Sequence, residues 1–233
     1  MMTIPTPAVF IADAHYRHER TELVSFINEL IDNKEVKSII FMGDIFDLLI
    51  PIFPYLCEYN HDLIESINKL SYLKNVIYCE GNHDFLLKKL FSHVKIIPLN
   101  EQPFQLMLGN HHLLIAHGDY LGSWSYRFYT ACIRHPMTLK MLHLVTANGI
   151  NQWFLKRVLR YLSSKRLCHQ WEDFANYIAS RLADVNRVEG HFHQHVTLRN
   201  TSFFYLSLPS FACNQEYYYV TDDFLCKKYK KMS

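Results

Sequence analysis

The sequence predicts an α/β fold, with a sheet covered on both faces and a helical segment inserted in the second half of the chain. Three observations predict it. Short, wholly apolar runs alternate with amphipathic helical stretches in the first half of the 233 residues. Polar residues of metal-ligating type follow several of those runs directly. One long internal stretch carries no acidic residue. With 49% hydrophobic and 15% aromatic residues the chain can bury a real core, which excludes a disordered chain. The 24 Lys+Arg nearly balance the 22 Asp+Glu, so a general nucleic-acid coat is excluded and no nucleic-acid partner is expected.

Residues 8–12 (AVFIA) are the first strand. Residues 20–32 place Leu23, Phe26, Ile27, Leu30 and Ile31 at helical spacing. Residues 38–42 (SIIFM) are a second strand, and 62–73 a helix with Leu63, Ile64, Ile67 and Leu70 on one face. Residues 75–79 (NVIYC) form a third strand, followed by a short helix over 84–91. Strand pattern returns at 104–108 and 112–116, and again at 187–189, 196–199, 202–208 and 217–221. Strands this apolar between amphipathic helices need cover on both faces. Residues 48–57 are apolar but too short for a membrane span and contain Pro51 and Pro54, so a buried loop or a dimer contact is expected over 48–56, ahead of a segment that dips into a membrane. The first seven residues lack the basic start and apolar stretch of a signal peptide, which makes the cytoplasm the expected compartment. The 6 cysteines contain no CxxC pair and are expected to be free thiols filling core space.

Residues 122–184 are helical by pattern and form a basic insertion between two parts of a core, 1–121 and 185–233. From Tyr120 to Trp171 there is no Asp or Glu, but there are Arg127, Arg134, Lys140, Lys156, Arg157, Arg160, Lys165 and Arg166. These eight give the stretch about +8 and, against a net +2, leave the remainder at about −6. Residues 137–145 and 150–162 set Leu, Met, Phe and Trp beside Arg and Lys. Such a cap could receive an anionic or membrane-embedded partner, or be a helical hairpin packed on the core with solvated cations.

The chemistry sits where strands end: Asp13-Ala14-His15, Gly43-Asp44, Gly81-Asn82-His83-Asp84, His117-Gly118-Asp119 and Gly190-His191-Phe192-His193. Groups directly after strands converge at the carboxyl edge of an open sheet. Imidazole mixed with carboxylate suits Mn, Fe, Zn or Ni better than a purely oxygen-ligated ion. In Asp-x-His and His-x-His, residues two apart on extended chain point the same way. Each motif alone is common. Five in this order, each closing a predicted strand, are specific.

In this order the motifs resemble those of the calcineurin-like metallophosphoesterases, over Phe10 to about Tyr205. The resemblance implies a four-layer α/β/β/α sandwich around two divalent ions. It implies Asp13, His15 and His193 on one ion, Asn82, His117 and His191 on the other, and Asp44 bridging them. His83 would face the leaving oxygen, and Asp84 would orient His83 or cap the following helix.

Gly43-Asp44-Ile45-Phe46-Asp47, Gly81-Asn82-His83-Asp84-Phe85, the long insert with Tyr126, Phe128, Arg134 and Pro136, and Ser163-Ser164-Lys165 look like the UDP-2,3-diacylglucosamine pyrophosphohydrolases of lipid A synthesis. That similarity implies Mn²⁺-dependent release of UMP and 2,3-diacylglucosamine 1-phosphate from a lipid-linked nucleotide sugar. It also implies a peripheral position on the anionic cytoplasmic face of the inner membrane. Candidate substrate contacts are Arg127, Arg134, Arg157, Arg160, Ser164, Lys165 and His195. That family typically has Arg where this chain has His83, and Thr-Asp-Asp where it has Gly122-Ser123-Trp124. Two alternatives stay open at this point: a phosphodiesterase or phosphatase of nucleotides and other small phosphoesters, and a scaffold without activity. The oligomeric state is not indicated.

Overall fold

The apolar runs become strands because their β-branched and aromatic side chains can be buried on both faces at once. In the computed structural model, which describes residues 2–146, 150–164, 167–181, 186–199, 203–222 and 226–230, the first half comprises β1 (Met2–Ile4), β2 (Ala8–Ile11), α1 (Glu22–Asp32), β3 (Ser38–Phe41), α2 (Pro54–Tyr59), α3 (His61–Leu73), β4 (Asn75–Cys79), β5 (Lys95–Ile97), β6 (Phe104–Leu108) and β7 (His111–Ala116). Then follow α4 (Trp124–Arg134), α5 (Pro136–Thr146), α6 (Ile150–Ser164) and α7 (Phe174–Ala179). The chain closes with β8 (Arg187–Glu189), β9 (Val196–Arg199), β10 (Phe204–Ser207), α8 (Phe211–Asn214), β11 (Glu216–Val220) and β12 (Cys226–Lys230).

Two six-stranded sheets result, in the orders β1-β6-β7-β8-β10-β9 and β12-β11-β2-β3-β4-β5. Their facing sides bury Phe10, Ile40, Ile77, Leu106, Ile115 and Leu206 between them. The outer face of the second sheet buries Val9, Ile39, Phe41 and Val76 against Leu23, Phe26 and Ile27 of α1 and Leu63, Ile67 and Leu70 of α3. Leu139, Leu155 and Leu159 of the insert join that same cluster. Phe174 and Ile178 of α7 pack with Tyr205 on the other sheet. Helix, sheet, sheet, helix is therefore the layer order, as the motifs implied. The insert supplies the fourth layer as well as the helices beside the second sheet. The expected boundary near residue 184 lies outside the described residues.

Within the second sheet β2, β3, β4 and β5 run parallel, and in the first sheet β7 and β8 run parallel. Their carboxyl ends bring all five motifs to one edge.

Three expectations are corrected. Residues 84–91 do not form a helix of any length, only one 3₁₀ turn, Leu87–Lys89. Asp84 is spent on backbone amides elsewhere, and Leu86 takes a positive φ of 62° that ends regular helix. The stretch over 48–57 is not wholly loop, because Pro54 opens α2. Cys168 and Cys213 are joined in a disulfide, so not all six cysteines are free thiols. The pair is 45 residues apart and only the fold brings it together.

Candidate metal centre

Each motif enters the centre on distorted backbone. Of the seven non-glycine residues with positive φ among the described residues, five are Asp13, His15, Asp44, His191 and His193. L-residues rarely adopt that conformation, and it persists only where the surroundings enforce it. Gly81 and Gly43 are the close approaches that make room. A Cβ on Gly81 would overlap the Asp44 carboxylate, and one on Gly43 would overlap the His117 ring.

The side chains converge in three overlapping groups that could hold an ion: Asp13, His15 and His193; His15, Asp44 and His83; and Asp44, His117 and His191. His15 Nε2 lies 3.2 Å from His193 Nε2, and His191 Nδ1 lies 3.2 Å from His117 Nε2. Asn82 Oδ1 is 3.2 Å from His117 Nε2, and Asp44 Oδ2 is 3.5 Å from it. Asp13 Oδ1 is 3.4 Å from His193 Nε2.

The opposite ring atoms explain the aim. His117 Nδ1 donates to Met42 O at 2.9 Å, His193 Nδ1 to Leu167 O at 2.7 Å, and His83 Nδ1 to Asp47 O at 2.7 Å. A carbonyl only accepts, so each Nδ1 carries a proton and each Nε2 faces the centre, where it can ligate an ion once any proton of its own is lost. Asp47 stands 3.4 Å from His15 Nδ1 and is held by Arg17 Nε at 2.7 Å, a carboxylate–histidine pair of the kind that orients metal ligands. Imidazole nitrogens this close together need a shared proton or a cation between them. Nitrogen mixed with carboxylate and amide oxygen fits a pair of divalent transition ions.

The charges are strongly coupled. Burial lowers the affinity of His117 for a proton, but Asp44 and Asp13 outweigh it and carry its pKa to about 10. His193 is likewise depressed by burial, then raised past it by Asp13 to about 9. Burial and the neighbouring His117 hold His191 down at about 4. Burial holds His15 below its ordinary value. Burial would raise Asp44, but His117 and His83 keep it well below the carboxylate range.

Asp84 is not a reacting group. It is fully buried, and its two oxygens accept from the amides of Asp44 (3.1 Å), Ile45 (2.6 Å), Phe46 (3.1 Å) and Gly81 (2.9 Å) and from Tyr78 Oη (2.6 Å). It neither orients His83, which leans on Asp47 O, nor caps a helix. It ties the Gly43-Asp44 loop to the loop that carries Asn82. Burial and Asp44 push its carboxyl up to about 7, against the pull of Tyr78 and the amides.

The expected substrate contacts divide. Arg134 lies at the centre's rim, donating to Asp119 Oδ2 at 3.2 Å and Gly81 O at 3.4 Å and lying over the Phe85 ring. Arg160 lines a cavity of about 260 Å³ with Arg17, Asp47, Tyr55, Tyr59 and Lys156. Arg127 is exposed on α4, and Arg157 lies over Trp153. Ser164 donates to Tyr161 O in its own helix. Lys165 lies outside the described residues. His195 does not border the centre through its contacts: its ring meets Tyr218 Oη at 2.6 Å and Lys228 Nζ at 3.3 Å.

Two supports escaped the sequence. Gln102 accepts from His117 N and donates to Glu80 O and Ile97 O. Ser210 Oγ donates to Asp13 O at 2.7 Å. Neither sits in a motif, so no local pattern marks them.

Comparison with known proteins agrees with this geometry. The family model described as calcineurin-like phosphoesterase matches residues 6–195. The chain belongs to the calcineurin-like phosphoesterase family. Among characterised relatives, a Coxiella burnetii protein named UDP-2,3-diacylglucosamine hydrolase is 24% identical over 194 residues, 80% of this phosphoesterase and 79% of that protein. A protein of the same name from another strain of that species is 27% identical over 138 residues, covering 58% of this chain and just over half, 56%, of the relative. A solved archaeal phosphodiesterase is 13% identical and covers 97% of this phosphoesterase and 100% of itself with a TM-score of 0.50, a likeness of fold.

Two outcomes follow for this chain. Asp84→Asn sets an NH₂ group against backbone donors and should destabilise the fold by about 2–3 kcal/mol, read as a lowered urea midpoint; an unchanged midpoint refutes the anchoring role. In metal-free protein at pH 7.5, His117 and His193 are protonated and His15 and His191 are neutral. Saturation with Mn²⁺ should therefore release about two protons, measured by calorimetry in buffers of different ionisation heat, and binding should strengthen as pH rises. Release of none contradicts the ligand set.

Proposed function

We propose that the chain is a two-ion pyrophosphohydrolase that cleaves UDP-2,3-diacylglucosamine to UMP and 2,3-diacylglucosamine 1-phosphate, with Mn²⁺ as its metal. One observation carries the reading: a phosphoesterase centre adjoins a helical insert whose stretch up to Trp171 carries no acid and exposes large apolar side chains. Trp124, Phe128 and Tyr129 of α4, Met137, Met141 and Leu144 of α5, and Trp153 and Tyr161 of α6 are each at least 60% exposed. Acyl chains need such a surface, and a diphosphate needs cations beside the ions. The relatives' shared name supports the same substrate.

The ligands in this reading are Asp13, His15 and His193 for one ion, Asn82, His117 and His191 for the other, and Asp44 between them. A bound ion pair supplies a water acidic enough to attack phosphorus near neutral pH and neutralises charge on the phosphoryl oxygens. This chain's residues do the rest. Asp47 O accepts a hydrogen bond from His83 Nδ1–H and fixes its ring, leaving Nε2, 4.0 Å from Asp44 Oδ2, to donate to the leaving oxygen when protonated. In this reading Arg134, paired with Asp119 at the centre's rim, and Arg160, in the cavity that Asp47 also lines, are the cations offered to the diphosphate. The positive, apolar insert also suits contact with an anionic membrane surface on the cytoplasmic side. No helix among the described residues is long and apolar enough to cross a membrane.

The purified protein with Mn²⁺ should release UMP from UDP-2,3-diacylglucosamine, and His83→Ala should lower turnover by about 10²–10⁴-fold with metal content unchanged. Brisk cleavage of simple nucleotide phosphodiesters without UMP release would favour the small-phosphoester reading. The protein should also sediment with phosphatidylglycerol-containing vesicles at low salt, and Trp124→Ser with Met141→Ser should weaken that binding. Equal recovery with neutral vesicles refutes the anionic-surface reading.

A further inference from the structure

The disulfide joins two pieces of chain that support the same part of the centre. Cys168 directly follows Leu167, whose carbonyl accepts a hydrogen bond from His193 Nδ1 at 2.7 Å. The segment around it is irregular but stitched to the His191-Phe192-His193 loop. Gln194 donates to His169 O at 2.6 Å and accepts from Trp171 N at 2.9 Å. Cys213 lies in α8, and its neighbours hold the backbone of Asp13: Ala212 N donates to Asp13 O at 3.2 Å, Ser210 Oγ to the same atom at 2.7 Å, and Phe211 N to Ala12 O at 2.9 Å. One bond thus ties the seat of His193 to the seat of Asp13. None of these supports hydrogen-bonds to Asp44, His117 or His191, whose rings and carboxylate meet Met42, Asn82, His83, Tyr126, Phe192 and one another; only the His191 amide, donating to the Asp13 carboxylate, links the two halves of the centre directly.

We propose that Cys168–Cys213 is a redox-sensitive clamp that positions Asp13 and His193, so that its reduction weakens one metal site and leaves the other unchanged. The inference rests on the two-ion assignment above. Cys168 is exposed and Cys213 partly so, which admits a reductant. A dithiol would act as its thiolate attacks the Cys168 sulfur; the S–S bond breaks and Cys213 leaves as a thiolate that takes up a proton. The second thiol of the reductant then displaces Cys168 from the mixed disulfide, leaving two protein thiols and an oxidised dithiol. With the bond open, residues 167–171 keep their hydrogen bonds to the His193 loop and the ring contacts of Trp171 with Phe174, Tyr177 and Phe192, but the Leu167 carbonyl is no longer covalently tied to α8. Partners that orient metal ligands change metal affinity by about 10–100-fold when lost. A reducing compartment would open the clamp, and an oxidising one would close it.

The test uses the full chain, metal-free, either air-oxidised or reduced with a phosphine that is then removed by desalting under nitrogen. Peptide mapping without reductant should show Cys168 linked to Cys213. Mn²⁺ titration by calorimetry and equilibrium dialysis should give two sites in oxidised protein. In reduced protein one site should weaken by about tenfold while the other keeps its affinity. Cys168→Ser with Cys213→Ser should reproduce the reduced isotherm whatever the redox state, and amide exchange over 167–171 should quicken on reduction. Reduced wild type needs no mutation, so misfolding of the double variant would not obscure the result. Two sites of equal affinity in both redox states, or no Cys168–Cys213 linkage, overturn the clamp alone. Fewer than two ions in oxidised protein overturn the two-ion assignment and the clamp with it. Equal weakening of both sites overturns the clamp in favour of general loosening of the fold.

Discussion

Two carboxylates, Asp13 and Asp44, are buried against the rings of His193 and His117, and the rest of the structure is organised around keeping those charges compensated. Removing an ion from water costs several kcal/mol even after relaxation, and only close partners or a bound cation return it. The compensation works here because each ring is held from behind. Met42, Leu167 and Asp47 each offer a backbone carbonyl to an Nδ1, so an imidazole cannot turn its lone pair away. These carbonyls come from a strand end, an irregular segment of the insert and the loop after β3. A displacement of any one would change the aim of a different ring.

The same constraint accounts for the backbone strain. Five residues with positive φ gather at one edge, each costing on the order of 1–3 kcal/mol, and a set of buried hydrogen bonds offsets them. Asp84 is central to that set. By accepting from three consecutive amides after Gly43 and from Gly81, it fixes two loops with a single carboxylate. Its ordinary location in a four-residue motif makes it look like chemistry. Its complete burial makes it architecture.

The insert carries two different jobs on one composition. Leu139, Leu155 and Leu159 attach it to the core, while aromatic and methionine side chains on the same helices remain exposed. A helix that buries one stripe and still presents large apolar residues elsewhere has surface to offer a partner. Its last helix, α7, instead closes the first sheet. That helix lies beyond the acid-free stretch, after Glu172 and Asp173, so the lack of acids marks α4 to α6 and not the whole insert.

Much was legible in the sequence alone. Alternating apolar runs and helical faces specified the sheets, because β2, β3 and β4 must be buried on both sides. The five strand-end motifs specified the centre, because strands that run parallel share a carboxyl edge. What the sequence could not contain were relations between residues far apart with no motif to mark them. Gln102 beneath His117, Ser210 beneath Asp13 and the Cys168–Cys213 bond join segments whose proximity is decided only when the sheets stack. His195 shows the limit from the other side: two residues from a ligand-type histidine, it is a candidate substrate contact by spacing, yet its ring pairs with Tyr218 and Lys228. Local spacing sets which residue types can meet a metal. Packing of the two sheets and the insert sets which side chains are held there, because a ligand's aim depends on the carbonyl or carboxylate behind it and that partner comes from another part of the chain.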